Sequence, residues 1–466
     1  MVPQFDGSAE VFAWFYQFIN LGQGQSRKSF RLDRMKYLAA MAESPERCAP
    51  VIHIAGSKGK GSVTAMIASI LEAAGLKTAR YSSPFVSDNR ERVSLGESWF
   101  PEKIYISAAE ELAVLLESIP SSSPDIKRLF DSNDREGEEP SFFELLTLYF
   151  FLCARKEGCD AMVVETGMGG RLDATNIVDP LVSVITLIEK EHTEYLGSSI
   201  RAIAAEKGGI IKPEKPLVLA GETPEAFEVF ASIAEDMRAP LYYFPRLVSV
   251  NDCSIRKTGT SCTLAFSDPS FFPEPLKINI PIPGKVQAEN AGLAVLAVKL
   301  AFPSIGPQDI QRGLSSVFLP GRFEKIREDP ELVIDGAHTK KSMEYCCHTF
   351  AELYGKGGIL LFGCAMGKDA ASMADAAVLY FSHIIITNPG SFKKSRPGEI
   401  YDIFSARAAE GQEVMLIEET ERAIEYALSL GMKKKLPVLG AGSFYLAGEI
   451  RKYSRVGVDR VIEQVQ

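Results

Sequence analysis

The stretch "AGSKGKGS", residues 55–62, gathers three glycines, two lysines and two serines into eight positions. An apolar run, "PVIHIA" (50–55), precedes it, and a helical pattern, "SVTAMIASILEAAG" (62–75), follows. A strand, a glycine-rich turn and a helix aim backbone N–H groups and the positive helix end at one point, where a phosphate binds. Gly56, Gly59 and Gly61 let the backbone approach phosphate oxygens, and Ser57 and Lys58 complete the turn. Lys60 has the charge to neutralise β- and γ-phosphates, and Ser62 has a hydroxyl for a metal or a phosphate oxygen. The loop departs from the common G-x-x-x-x-G-K-[ST] form, because the first glycine position is Ile54 and Gly61 follows the lysine. ATP or GTP is the expected ligand, with Mg2+ bridging its phosphates.

Other residues of suitable type follow strand-like runs. Glu165 ends "DAMVVE" (160–165), and a carboxylate at the end of a parallel strand beside a nucleotide is a natural Mg2+ ligand. His192 follows "LVSVITLI" (181–188), and a neutral imidazole can ligate a metal. Lys207 lies in "AAEKGGIIKP", on a helical pattern that stops at Gly208-Gly209. Arg322, in "PGRFEKI", sits at a chain break from which a guanidinium can reach into a cleft and pair with phosphate. Asp335 and His338, in "VIDGAHTKKS", follow a strand and can orient a base or a second substrate. Taken singly, each of these also reads as a solvated residue, a helix cap or a salt bridge.

The elements that must carry these groups form two series. From residue 50 to about 220, short β-rich runs alternate with helical patterns, including a strand at "PLVLA" (216–220). This alternation predicts a mostly parallel sheet covered on both faces. The segment 240–283 ("LYYFPRLVSV", "SCTLAFS", "LKINIPI") reads as a small antiparallel β excursion, and 121–140 as a polar surface loop. Strand–helix alternation restarts at "ELVID" (331–335) and continues through "GGILLFG", "HIIITN", "EVMLIEE" and "LPVLGAG". Pro320-Gly321 marks the joint, so the expected α/β domains are 1–318 and a smaller 319–466.

The whole chain bounds the chemistry. Its 466 residues suit two domains, and 46% apolar with 24% charged residues is typical of globular proteins. A formal charge of −9 argues against a nucleic-acid partner, so an anionic substrate needs a local basic pocket. No run approaches the roughly 20 apolar residues of a membrane helix, and the N-terminus has no signal-like pattern. The eight cysteines form no CxxC pair, which fits a reduced, cytoplasmic setting without a disulfide or zinc framework.

Eight blocks stand in the order and spacing of folylpolyglutamate synthases. They are "HIAGSKGKGS", "SSPFVSDNRERV", "SFFELLT", "VVETGMGGRLDATN", "EKGGIIKP", "PGRFEKI", "DGAH" and "GSFYLAGEI". From about Phe30 to Glu449 the chain resembles that family, which with the bacterial dihydrofolate synthases is a branch of the Mur ligase superfamily. Gly61 after Lys60 looks like the folate branch, since Mur ligases usually carry Thr or Ser there. The resemblance implies a P-loop ATPase domain, then a smaller Rossmann-like domain, with catalysis in the cleft between them. It implies ATP-dependent ligation, in which a folate carboxylate becomes an acyl phosphate that the amine of L-glutamate attacks.

Residue by residue, the resemblance implies that Lys60 is the phosphate lysine and that Ser83, Glu165 and His192 are Mg2+ ligands. It implies a carbamate on Lys207, nucleotide contacts from Asn290, Arg322 and Asp335, a cleft position for Asp335 and His338, and Ser443 near glutamate. The chain departs from the family at Ser57-Lys58, where Thr-Asn is usual, and at Glu191, where Asp is common. Thr339 replaces the Asn of D-G-A-H-N, and Val286 stands where many members have His. The expected partners are small molecules, folate or dihydropteroate and L-glutamate, and the expected state is a monomer.

Two other readings compete. A cell-wall Mur ligase is expected to carry a nucleotide-sugar domain ahead of the loop, but only 55 residues precede Gly56. A nucleotide-binding regulator that has lost ligation would not be expected to keep Lys60, Glu165, His192 and Lys207 together. Whether dihydropteroate is an acceptor as well as reduced folates is open at the level of sequence.

Overall fold

The computed structural model describes residues 3–19, 32–119 and 140–465. The expected surface loop at 121–140 lies outside them, but for Pro140. Strands β1 (Val51–Ala55), β2 (Thr78–Tyr81), β3 (Val93–Leu95), β4 (Ala161–Glu165), β5 (Val182–Ile185), β6 (Leu217–Leu219) and β7 (Leu241–Tyr243) form one seven-stranded sheet. Its order is β3-β2-β4-β1-β5-β6-β7, and every pair is parallel except β2 with the edge strand β3.

Period-2 alternation sorts the side chains of this sheet between two layers. Ile52, Ile54 and Val163 pack with the helices Lys60–Ala73 and Lys285–Ala301. Val51, Met162 and Val164 face the opposite layer, built largely on the helices Ser8–Tyr16, Glu102–Glu117 and Phe142–Glu157. Burial on both faces explains why these strands read as unbroken apolar runs. The helix Phe142–Glu157 opens with a capping box between Ser141 and Glu144 and ends at Gly158, whose φ is 65°. The carboxylate of Glu144 also takes a bidentate pair from buried Arg34, at 2.9 and 2.7 Å.

Strands β8 (Val248–Arg256), β9 (Gly259–Phe266) and β10 (Leu276–Ile280) make the antiparallel excursion. Its start corrects the sequence reading, because β7 belongs to the large sheet and Phe244–Leu247 is a helical turn. Pro245 supplies the reason: with φ fixed and no N–H, it cannot continue a ladder but suits the first turn of a helix.

The second sheet holds β11 (Glu324–Glu328), β12 (Glu331–Ile334), β13 (Gly358–Phe362), β14 (Phe381–Ile386), β15 (Glu413–Leu416) and β16 (Val438–Ala441). The order is β11-β12-β16-β13-β14-β15, with only β11 antiparallel. Helices Lys340–Tyr354 and Ala370–Ala377 cover one face, and Thr420–Lys434 with Phe444–Val465 the other. Among the described residues no helix is long and apolar enough to cross a membrane.

Candidate active site

The residues named from sequence stand at the carboxyl edges of both sheets, where open parallel sheets collect ligands. The glycine loop follows β1, Glu165 ends β4, and His192 lies in the segment after β5. From the second sheet, Arg322 precedes β11 and Asp335 follows β12. Between them runs a cleft of about 1320 Å³ lined by Ser57–Ser62, Ser83, Glu165, His192, Asn290, Arg322, Asp335 and His338.

The loop's shape depends on two glycines. Gly56 has φ +147°, and a β-carbon there would lie 1.8 Å from Thr186 Oγ1. Gly59 has φ +92°, and a β-carbon there would lie 2.6 Å from Asn290 Oδ1. The N–H groups of Ser57 and Lys58 both donate to the Leu187 carbonyl, at 2.9 and 3.1 Å. The first bond of the following helix runs from Val63 N–H to the Gly59 carbonyl, 2.9 Å. The N–H groups of Lys60, Gly61 and Ser62 therefore precede that ladder and point out of the helix end, as an anion site requires. Lys60 Nζ donates to the Gly56 carbonyl at 2.9 Å. Asn290 is held against the loop, with Nδ2 donating to Gln287 Oε1 at 3.1 Å.

Beside the loop, Glu165 is only 3% exposed, and its Oε2 accepts the Ser83 N–H at 3.3 Å. Burial raises its pKa to about 7, against the opposing pull of Lys60, the Ser83 N–H, Arg322 and Arg80. A β-carbon at Gly61 would stand 3.6 Å from Glu165 Oε2 and 3.9 Å from Arg322 Nη2, so this glycine keeps the space beside the carboxylate open. Burial lowers the pKa of His192, with Glu191 working the other way. Among the described residues no three His, Cys, Asp or Glu side chains gather into a full ligand set. The buried Glu165 carboxylate and the adjacent Ser83 hydroxyl beside a phosphate loop nonetheless suit Mg2+, a hard cation that takes few protein oxygens and fills its shell with water and phosphate oxygens.

Lys207 does not line the cleft. It is 1% exposed behind the loop, where Nζ donates to the Gly56 carbonyl at 2.7 Å and to Glu191 Oε1 at 3.1 Å. Burial and neighbouring Lys60 bring its pKa down to about 8, although Glu191 pulls it up. Burial alone would raise the Glu191 carboxyl, but Lys60, Lys207, Lys58 and His192 together hold it down to about 2. Lys58 sits in the same field, lowered by burial while Glu191 and Glu189 favour its charge. The two departures Lys58 and Glu191 are thus electrostatic neighbours, the added cation compensated by acids beside it.

On the opposite wall, the Arg322 guanidinium lies 3.9 Å over the Phe444 ring. Asp335 uses both oxygens on backbone N–H groups, those of Phe323 at 2.8 Å and Ala337 at 2.7 Å, so it shapes the turn that carries Arg322. His338 Nδ1 lies 2.8 Å from the Gly336 carbonyl, which can only accept, so the proton is on Nδ1 and Nε2 is left as an acceptor. Burial and Lys58 lower this ring's pKa to about 3. Thr339 caps the helix Lys340–Tyr354 through Ser342. Thr and Asn both cap helices, which accounts for that departure. Val286 lines an apolar flank of the cleft with Phe244, Val248 and Val250.

Ser443, expected near glutamate, follows β16 and is buried. Its hydroxyl donates to the Gly363 carbonyl at 3.0 Å and accepts the Leu446 N–H at 3.1 Å, so it is consumed in capping the last helix. Its neighbours Phe444 and Tyr445 face the cleft instead. Sequence reasoning also missed Arg92, whose guanidinium lies over Phe85 at 5.0 Å and Phe142 at 5.6 Å. Its Nε is buried without a hydrogen-bond partner, and the residue lines the cleft together with Phe142. The one available signal was its position in the block "SSPFVSDNRERV".

Comparison with known proteins places the chain in a family. Residues 129–298 match the Mur ligase middle domain, and 321–444 match the Mur ligase glutamate ligase domain. A dihydrofolate synthase/folylpolyglutamate synthase of Bacillus subtilis is 30% identical over 427 residues, 90% of this chain and 94% of that protein. The Mycobacterium tuberculosis folylpolyglutamate synthase, solved with ADP and AMPPCP, superposes with a TM-score of 0.84 at 27% identity, over 96% of this chain and 99% of that one. A structure described as an FPGS-AMPPCP-folate complex superposes with a TM-score of 0.79 at 26% identity, over 96% and 98% of the two chains. Two Mur ligase domains in order and 30% identity over nine-tenths of the length mean that the chain belongs to the folylpolyglutamate synthase/dihydrofolate synthase family of the Mur ligase superfamily.

Proposed function

We propose that this protein is an ATP-dependent ligase that joins L-glutamate to a side-chain carboxylate of a folate through an acyl phosphate. The observation that carries the reading is the meeting, in one cleft, of a phosphate loop with Glu165 on one wall and Arg322, Asp335 and His338 on the other. A relative with both activities in its name, and a related structure holding a nucleotide analogue with folate, support the substrate classes. In this reading residues 1–318 bind ATP and residues 319–466 serve glutamate ligation, with the chain residing in the cytoplasm.

The chemistry assigns each group a task. An oxygen of the folate carboxylate attacks the γ-phosphorus, the bond to the β,γ-bridging oxygen breaks, and ADP leaves. Lys60, the loop N–H groups and Arg322 meet the charge that develops on the transferred phosphoryl oxygens. Mg2+, when bound, supplies further neutralisation of the phosphates, and Glu165, Ser83 and His192 are the residues that would hold it. The glutamate amine, as free base, then attacks the acyl carbon, the carbon–oxygen bond to phosphate breaks, and inorganic phosphate departs as the nitrogen loses its proton. His338 offers Nε2 to orient the amine, and Arg92 offers a cation to a substrate carboxylate. Lys207, with a pKa near 8, has the accessible free-base form needed to take up CO2 as a carbamate.

The test is phosphate release from ATP by purified protein with glutamate, comparing dihydropteroate with tetrahydrofolate. Release with tetrahydrofolate is expected, and release with dihydropteroate adds the second activity. Lys60→Ala abolishes the signal, and Lys207→Ala lowers turnover severely. No release with either acceptor overturns the proposal.

A further inference from the structure

Two loops at the carboxyl edge of the second sheet form a single rim on the cleft. The loop after β13 and the loop after β14 are joined by a bond from Met366 N–H to the Lys394 carbonyl, 2.8 Å, and by another from Ser395 Oγ to the Cys364 carbonyl, 2.7 Å. Phe392, 48% exposed, stacks on Tyr445 at 5.4 Å and reaches Tyr16 at 6.4 Å and Phe85 at 6.3 Å, so the rim spans from the second sheet to the first. The rim carries Lys368, Lys393 and Lys394, all exposed. Lys393 lines the cleft, and the charge of Lys368 is felt by His192 and His338 within it.

None of the three lysines has an acid at ion-pair distance among the described residues, although acids outnumber bases in the chain 60 to 51. Other surface lysines such as Lys77, Lys257 and Lys325 do find glutamates. Like charges grouped without partners at a cleft mouth raise the local concentration of an anion. The glycine loop, Lys60 and Arg322 already serve one anion deeper in the cleft, so the rim serves an anion that extends outward.

We propose that Lys368, Lys393 and Lys394 bind the successive α-carboxylates of a γ-glutamyl tail, so that a substrate already carrying several glutamates is held more tightly than one carrying a single residue. This rests on the ligase reading above. Each round of that reaction adds one carboxylate to the product, which returns as the next substrate. An acidic protein would repel such a chain more strongly at every round without a basic track beside the site. Nucleotide phosphates share the same anion chemistry, and the experiment separates the two.

The experiment measures KM for mono-, di- and triglutamyl tetrahydrofolate at saturating ATP and glutamate, and KM for ATP, in wild type and in a Lys393→Ala/Lys394→Ala double variant. The expected result is a rise in folate KM that grows with tail length and reaches about tenfold for the triglutamyl substrate. Lys368→Glu steepens the same trend, and added salt erodes the wild-type preference for long tails. A KM change equal at all tail lengths, or confined to ATP, overturns the proposal. No phosphate release from wild type with any of the folates would overturn the ligase reading with it, whereas release with a flat tail-length profile sinks the rim alone.

Discussion

A residue's chemistry at this site is set by partners that are distant in sequence, and His53 is the sharpest case. It lies in β1, fully buried, with Nε2 2.8 Å from Thr175 Oγ1, while Thr175 in turn donates to Asp173 Oδ1 at 2.5 Å. Its Nδ1 has no partner, and burial lowers its pKa to about 3. A histidine whose folded pKa lies below its ordinary value contributes its stability fully above pH 6.5 and loses it as the pH falls towards 3. The loss is about 1.4 kcal/mol per pH unit for one group. Glu165 and Glu97, both pushed up to about 7 by burial, act with the opposite sign and stabilise the fold as the pH falls below 7. Denaturant unfolding from pH 7 to 4 should therefore show the histidine only in the difference between wild type and His53→Asn. That difference should shrink steadily with falling pH, and a constant difference would mean the imidazole titrates normally. The glycine loop, Lys60 and Glu165 were legible because backbone demands and strand ends leave marks in sequence. Arg92 was not, because its role depends on Phe85 and Phe142, and in "NRER" it reads as one more solvated charge.

At the scale of elements, the long apolar strands were readable and the short polar ones were not. Strand β2, "TARY", buries Arg80, whose Nε donates to Ser94 Oγ at 3.1 Å and whose Nη1 reaches Glu97 at 3.3 Å. Those partners come from β3 and the turn after it, so no pattern within β2 announces a strand. Edge strand β11, "EKIRE", carries charges that keep a free edge from pairing elsewhere, which also hides it from a hydrophobic pattern. Glycines give the cleaner element-level test. Gly59 and Gly75, at the two ends of the helix Lys60–Ala73, have φ of +92° and +86°. A β-carbon at Gly59 meets Asn290 at 2.6 Å, but one at Gly75 meets nothing within 4 Å. Both Gly→Ala variants should lose about 1–3 kcal/mol from backbone strain. Only Gly59→Ala should also raise the KM for ATP, by displacing Asn290 or opening the loop. Equal effects on ATP in the two variants would show that the loop's shape does not depend on that close approach.

Across the whole molecule the two sheets must stay registered for the cleft to exist, and one buried arginine links them. Arg451, on the last helix, donates to Ser87 Oγ at 2.7 Å and pairs with Glu91 at 3.5 Å and Glu324 at 3.0 Å. Ser87 and Glu91 belong to the segment that also carries Ser83 and Arg92, whereas Glu324 opens β11 of the second sheet. Gly448, one turn earlier on the helix, allows the contact, since a β-carbon there would lie 2.1 Å from the Val86 carbonyl. None of this touches the cleft, and nothing in the sequence around Arg451 announces it. Arg451→Met keeps much of the side-chain volume but takes the cation away from buried Glu91 and part-buried Glu324, which keep only their backbone and Ser87 donors, a change that costs about 1–3 kcal/mol. The sign with pH follows from Glu324. Glu324 is already raised by burial, and without the arginine it rises further, so the variant recovers stability as the pH falls through the carboxylate range. Unfolding curves at pH 7.5 and 5.5 should show the deficit shrinking at the lower pH, whereas loss of packing alone would leave it constant. Turnover should fall more than affinity for ATP, because the phosphate loop belongs wholly to the first sheet while the reaction needs both walls.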